Sequence, residues 1–192
     1  MRILLKDVAK WAVGGVRPPV ALLSILLSGC ALSGTQASSQ GGWDKQTVGW
    51  IESAQILGVE AETEAKLDTG ATTTSINAEI LDQPENTTEA GGMIRFRFVD
   101  TDGTSQVFER PVTRWVRIKD GDGGFFRRPV VQMQVCIAGR WIEEEANLAD
   151  RDQFDYAVLI GRNMLSKGAL VINSDETRTA PTNCPEREGN NG

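Results

Sequence analysis

The sequence predicts an all-β domain with one short helix. Its apolar residues fall in short runs, turn residues separate those runs, and no long stretch keeps helical spacing. The candidate strands, in order, are TVGWIESAQIL (47–57), AETEAKL (61–67), TTTSIN (72–77), MIRFRFVD (93–100), QVFERPVTRWVRIK (106–119), RRPVVQMQVCIA (127–138), RWIEEEANL (140–148) and YAVLIG (156–161). In MIRFRFVD the alternation puts Phe96 and Phe98 on one face and Arg95 and Arg97 on the other, so the phenylalanines turn to the core. DGDGG (120–124) sets two carboxylates among glycines but lacks the third ligand position and later Glu of a helix–loop–helix calcium site; it reads as a long hairpin turn. RNMLSKG forms one or two helical turns stopped by Gly168, and ALVIN (169–173) is the last strand.

A chain of 192 residues accommodates one such domain with extensions. At its start, Arg2, Lys6, Lys10 and Arg17 precede or flank the apolar run VALLSILL (20–27), the pattern of an export signal, too short to span a bilayer as a mature helix. The run ends in LSGC (27–30), which resembles the lipobox of bacterial lipoproteins. That resemblance implies cleavage after Gly29, acyl chains on Cys30 as a membrane anchor, and a protein facing the periplasm, with Ala31 favouring the outer membrane. The expected organisation is a signal peptide at 1–29, the lipidated Cys30 and a Gly/Ser/Gln-rich tether at 30–46, the folded domain at 47–175 and a loose tail at 176–192. NTT (86–88) fits a glycosylation acceptor, which a bacterial lipoprotein signal makes irrelevant.

The whole chain carries 20 Lys+Arg and 26 Asp+Glu. Without residues 1–29, which hold four of those bases and one acid, 16 face 25, a net charge of −9 that disfavours nucleic acid as a partner. Cys136 lies in an apolar strand and Cys184 in the polar tail. In an oxidising compartment the two can pair and staple the tail, or Cys136 is simply a small buried side chain.

The chain has no histidine, so it lacks the usual near-neutral base of Ser-His-Asp and Cys-His hydrolases, and zinc sites lose their commonest ligand. No G-x-x-x-x-G-K-[ST] loop cradles a nucleotide, and neither a metal nor a cofactor is expected. Carboxylate chemistry remains. AKLDTGATTTSI (65–76) sets Asp68 in Asp-Thr-Gly, on a tight loop between two strands, where Gly70 permits close backbone approach and Thr69 offers a hydroxyl to a neighbouring loop. Two carboxylates about 3 Å apart share one proton, so that one activates a water while the other polarises the substrate carbonyl. The triplet occurs once, so the second aspartate must come from another copy across a two-fold axis: catalysis requires a homodimer.

KLDTGATTTSI (66–76) and AVLIGRNMLSKGALVI (157–172) together resemble the two signature segments of retropepsin-type aspartic peptidases. With NLADRDQFDYAVLIGRNML and ALVIN, residues 47–173 resemble more closely the bacterial retropepsin-like family labelled ATP-dependent zinc protease, a label whose ligands this chain lacks. The resemblance implies an acid-protease barrel, with Asp68 catalytic, Thr69, Gly70 and Ala71 completing its loop, and Gly161, Arg162 and Asn163 supporting that loop within the protomer. Relatives commonly carry a histidine near the position of Asn77. Ala71 has no hydroxyl for the carboxylate, so activity is expected at mildly acidic to neutral pH.

Residues 93–119 contain a hairpin-like sequence with Arg95, Arg97, Arg110, Arg114 and Arg117. Part of it forms a flap whose arginines read acidic side chains, or the five cations are a solvated β face. The first reading of the whole is a lipid-anchored, homodimeric aspartic endopeptidase acting on peptide or protein substrates. The alternative is a non-catalytic envelope module binding peptide or protein on the same fold.

Overall fold

The structure, a computed structural model, describes residues 42–85, 90–119, 121 and 123–186. The signal and lipobox with Cys30, most of the tether, the NTT acceptor, Asp120, Asp122 and the last six residues lie outside the described residues. Ten strands and one helix follow in order: β1 (Gln46–Gly49), β2 (Ile51–Ile56), β3 (Thr63–Leu67), β4 (Thr74–Asp82), β5 (Met93–Val99), β6 (Ser105–Lys119), β7 (Phe125–Ile137), β8 (Arg140–Ala149), β9 (Val158–Ile160), α1 (Arg162–Lys167) and β10 (Leu170–Asn173). This is the all-β fold with a single short helix that the periodicity predicts.

Strands β2, β3, β9, β4, β8 and β7 pair in that order, and β7 returns to β2, closing a barrel. Hairpin β5–β6 bridges the far half of β4 to β7. Separately, β1 lies parallel to β10, with Gln46 opposite Leu170 and Gly49 opposite Asn173. The run 47–57 is therefore two strands, divided at Trp50, because β1 and β2 pair with different neighbours. Strand β4 continues past Asn77 to Asp82 and pairs there with β5.

The period-2 pattern of β5 resolves as alternation of burial: Ile94, Phe96 and Phe98 are wholly buried, and Phe96 stacks on Phe108 of β6 with ring centroids 5.6 Å apart. Ala138 and Gly139, both at positive φ, join β7 to β8 in a two-residue turn, the twist a tight hairpin requires. The DGDGG segment connects β6 to β7, whose last paired residues are Lys119 and Phe125.

Sequence composition predicts a loose tail from residue 176. Residues 176–186 instead lie against the barrel, with Ala180 packed on the core and Cys184 bridged to Cys136, which is fully buried.

Candidate active site

Strand β3 carries the chain to Asp68 at the edge of the barrel, and two crossing segments fix the loop that follows. Asp68 N–H donates to the Ile160 carbonyl at 2.9 Å, tying the loop to β9. Gly70 N–H donates to Asp68 Oδ1 at 2.8 Å, which holds the carboxylate over its own loop and leaves it half-buried. A Cβ at Gly70 would lie 3.1 Å from that oxygen, so glycine gives the carboxylate its room.

The start of α1 grips the loop from the other side. Arg162 N–H donates to the Ala71 carbonyl (2.9 Å), and its guanidinium donates to the Thr69 carbonyl (3.0 Å) and Thr72 Oγ1 (2.9 Å). Asn163 Oδ1 accepts from both the N–H and the hydroxyl of Thr74, while its Nδ2 donates to the Glu145 carbonyl at 2.7 Å. Gly161 N–H donates to Thr74 Oγ1 at 3.0 Å. These bonds pair the loop's polar groups within one protomer. Thr69 and Gly70 are exposed, and the Thr69 hydroxyl has no hydrogen bond among the described residues.

A second clamp reaches over from β6. Glu145 accepts from Thr113 Oγ1 (2.9 Å) and Arg114 Nε (2.8 Å), and Arg114 Nη2 extends to Thr73 Oγ1 at 3.3 Å. Burial alone would raise the Glu145 carboxyl, but the hydrogen bonds from Arg114 and Thr113 outweigh it and hold it below the usual carboxylate range.

Two cavities meet beside this loop. One of about 550 Å³ lies between Thr72 and Thr73 of the loop and Arg114, Val116 and Arg128 of the β6–β7 hairpin. The other, about 340 Å³, contains Asp68 with Trp50, Lys66, Phe154 and Tyr156. Arg151 and Leu159 line both, so the two are adjoining parts of one cleft. A cavity of about 760 Å³ lies farther out, where the hairpin meets the far half of β4, and includes neither Asp68 nor its loop.

Sequence reasoning missed Arg128 and Arg151. Arg151 is only 7% exposed; its backbone N–H donates to Asn77 Oδ1 (2.8 Å), its Nε to the Tyr156 carbonyl (3.1 Å), and its guanidinium lies 4.7 Å from the Phe154 ring centre. Neither arginine makes a salt bridge among the described residues. Burial depresses the proton affinity of Arg151 and the neighbouring Arg128 depresses it further, while Asp68 partly restores it. Arg128 is likewise lowered by burial, with Asp150 opposing. Two neighbouring cations, neither held in a salt bridge among the described residues, make this wall of the cleft attractive to an anion.

Of the five arginines singled out in the sequence, only Arg114 and Arg117 line the cleft. Arg97 pairs with Glu79 on the surface, Arg110 lies over the Phe108 ring, and Arg95 stands exposed on β5. The segment over the cleft is the distal part of β6–β7, not β5–β6. Asn77 turns its side chain to Arg151, Val99 and Asp152. The surroundings of Asp68 do not fit a zinc ion: no group of three His, Cys, Asp or Glu side chains converges among the described residues to supply its ligand set.

A closed barrel that carries Asp-Thr-Gly on one crossing loop, braced by Gly-Arg-Asn at the mouth of a short helix, has the architecture of retropepsin-like aspartic peptidases. Residues 47–183 match the RimB-like family, described as retropepsin-like aspartic endopeptidase RimB, and the chain belongs to that family. A crystal structure of Lpg0085 from Legionella pneumophila subsp. pneumophila str. Philadelphia 1, a protein of unknown function, is similar in fold. It is 25% identical, with a TM-score of 0.57, over 69% of this chain and 96% of that one. No curated protein matches.

Proposed function

We propose that the chain is a lipid-anchored aspartic endopeptidase, active as a homodimer in which Asp68 of each copy supplies one of two carboxylates. The carrying observation is the Asp68 loop itself: a half-buried carboxylate oriented by Gly70 N–H, on a backbone fixed from below by Arg162 and Asn163. Exposure of Thr69 and Gly70 supports apposition of a second copy at this loop. With two such carboxylates sharing a proton, the ionised one takes a proton from water as that water attacks the peptide carbonyl. The protonated one donates to the carbonyl oxygen, and the amine leaves after a further proton transfer. The anchor at Cys30 and an envelope location follow from the lipobox resemblance.

The wall formed by Arg114, Arg128 and Arg151 supports a preference for acidic residues next to the scissile bond. A carboxylate bound there would pair with Arg128 and Arg151, neither of which is in a salt bridge among the described residues. The test is cleavage of a peptide library with glutamate-rich and neutral members, from acid to neutral pH, by the wild type and Asp68→Asn. Loss of cleavage by about 10²–10⁴-fold or more in the variant is expected. Equal inactivity of both proteins would favour the alternative, a peptide- or protein-binding module.

A further inference from the structure

After β10 the chain turns back over the outside of β1 and β2. Trp50 N–H donates to the Glu176 carbonyl at 2.9 Å and Arg178 N–H to the Ile51 carbonyl at 2.7 Å, while the Arg178 guanidinium pairs with Glu64. A Cβ on Gly49 would stand 2.6 Å from the Glu176 oxygen, so this approach demands glycine. Farther along, Trp141 Nε1 donates to the Pro185 carbonyl at 2.8 Å, and Cys184 is joined to Cys136 of β7. The family match runs past β10 to residue 183 and so takes in most of this segment.

At its centre is Glu52, a carboxylate only 1% exposed that the proposed chemistry does not use. Its Oε1 accepts from Gly49 N–H (2.5 Å), Thr179 N–H (3.1 Å) and the Thr179 hydroxyl (3.0 Å), and its Oε2 from Ala180 N–H (3.0 Å). Every donor comes either from the β1–β2 corner or from the returning segment, so this one side chain fastens the two together. The corner is also where the barrel meets the catalytic loop. The Trp50 carbonyl accepts from Leu67 N–H at 2.8 Å, one residue before Asp68, and Trp50 lines the cavity that contains Asp68. One residue thus gives its N–H to the returning segment and its carbonyl to the strand that delivers the aspartate.

We propose that Glu52 is a positioning residue for Asp68: it clamps the returning segment 174–186 onto the β1–β2 corner and, through Trp50, fixes where β3 presents the carboxylate. The proposal rests on Asp68 being the catalytic group, but its geometric half does not. Gln at position 52 keeps the volume but turns an NH2 group toward a donor, which breaks the clamp from within.

The test is amide hydrogen exchange of the full chain, comparing wild type, Glu52→Gln, and wild type with the Cys136–Cys184 bridge reduced. The amides of Phe96 and Phe108 in the β5–β6 hairpin serve as reference. In both perturbed proteins, exchange at Trp50, Leu67 and Asp68 is expected to rise on the order of tenfold while the reference amides hold. In peptide cleavage, kcat of Glu52→Gln is expected to fall about ten- to hundredfold with KM little changed. Unchanged exchange at Leu67 and Asp68, or an equal rise at the reference amides, would overturn the proposal. Should Glu52→Gln fail to fold, Thr179→Val, which removes the hydroxyl donor to the same carboxylate, reads the same amides: a rise at Leu67 and Asp68 is expected, and no change would overturn the proposal. A wild type that cleaves nothing would remove the catalytic reading, and the exchange data would still decide the clamp.

Discussion

Gly161 has no space for a side chain: a Cβ there would lie 2.6 Å from the Thr73 carbonyl carbon and 2.8 Å from Thr74 N, both backbone atoms of the segment that follows the Asp68 loop. Gly161→Ala is therefore expected to cost about 1–3 kcal/mol or more by pushing β4 from α1. Thermal unfolding reads the cost, and loss of the Thr74–Asn163 bonds is its structural signature. Arg128 makes a different kind of prediction. If it reads an acidic side chain, Arg128→Gln should lower kcat/KM for glutamate-containing peptides about ten- to hundredfold and leave neutral peptides within a fewfold, since a charged hydrogen bond contributes about 1.5–3 kcal/mol. An equal loss on both peptide classes would assign Arg128 to structure alone. Arg151 was hidden in the sequence because ADRDQFD surrounds it with acids, the composition of a solvated turn. Its burial comes from Asn77 and Tyr156, partners distant in sequence or bonded through the main chain, which no local pattern encodes.

The β6–β8 clamp over the loop makes the site pH-sensitive at its acid end. Glu145 is held below the usual carboxylate range, so its bonds to Thr113 and Arg114 add stability that is fully present above the ordinary glutamate range. That stability is lost as pH falls through the lowered value. Glu145→Gln is accordingly expected to unfold at a lower temperature than wild type at neutral pH, with the gap closing as the pH drops below the glutamate range. A gap that stayed constant with pH would remove the ionised pair from the account. The strands themselves were largely legible. Alternation marks β5, and β-branched residues mark β7. What alternation could not give was the second half of β4: in AEILD (78–82) the charged Glu79 and Asp82 read as the end of a strand. In the fold that half needs only one apolar face, because it leaves the barrel and pairs with β5. The division at Trp50 was equally hidden, since the apolar pattern runs on while the hydrogen-bonding partner changes.

A single protomer presents one Asp68, so the proposed chemistry ties activity to assembly. Specific activity is expected to fall on dilution through the dimer's dissociation constant, in step with the mass seen by sedimentation; activity that is constant per chain down to the monomer would exclude a shared site. The tail that composition marked as loose is instead bonded to the barrel, because a buried carboxylate and a bridged cysteine hold it where no apolar periodicity appears. The pairing of β1 with β10 joins the first strand of the domain to the last, residue 46 to residue 170. A ribosome makes these ends at opposite times. The β1–β10 sheet therefore cannot form until nearly the whole domain has been synthesised, and until then β1 has no β10 to pair with. The sheet that ties the two ends of the domain together is thus the last pairing open to a chain made from its N-terminus, after every partner strand of the barrel itself is already present.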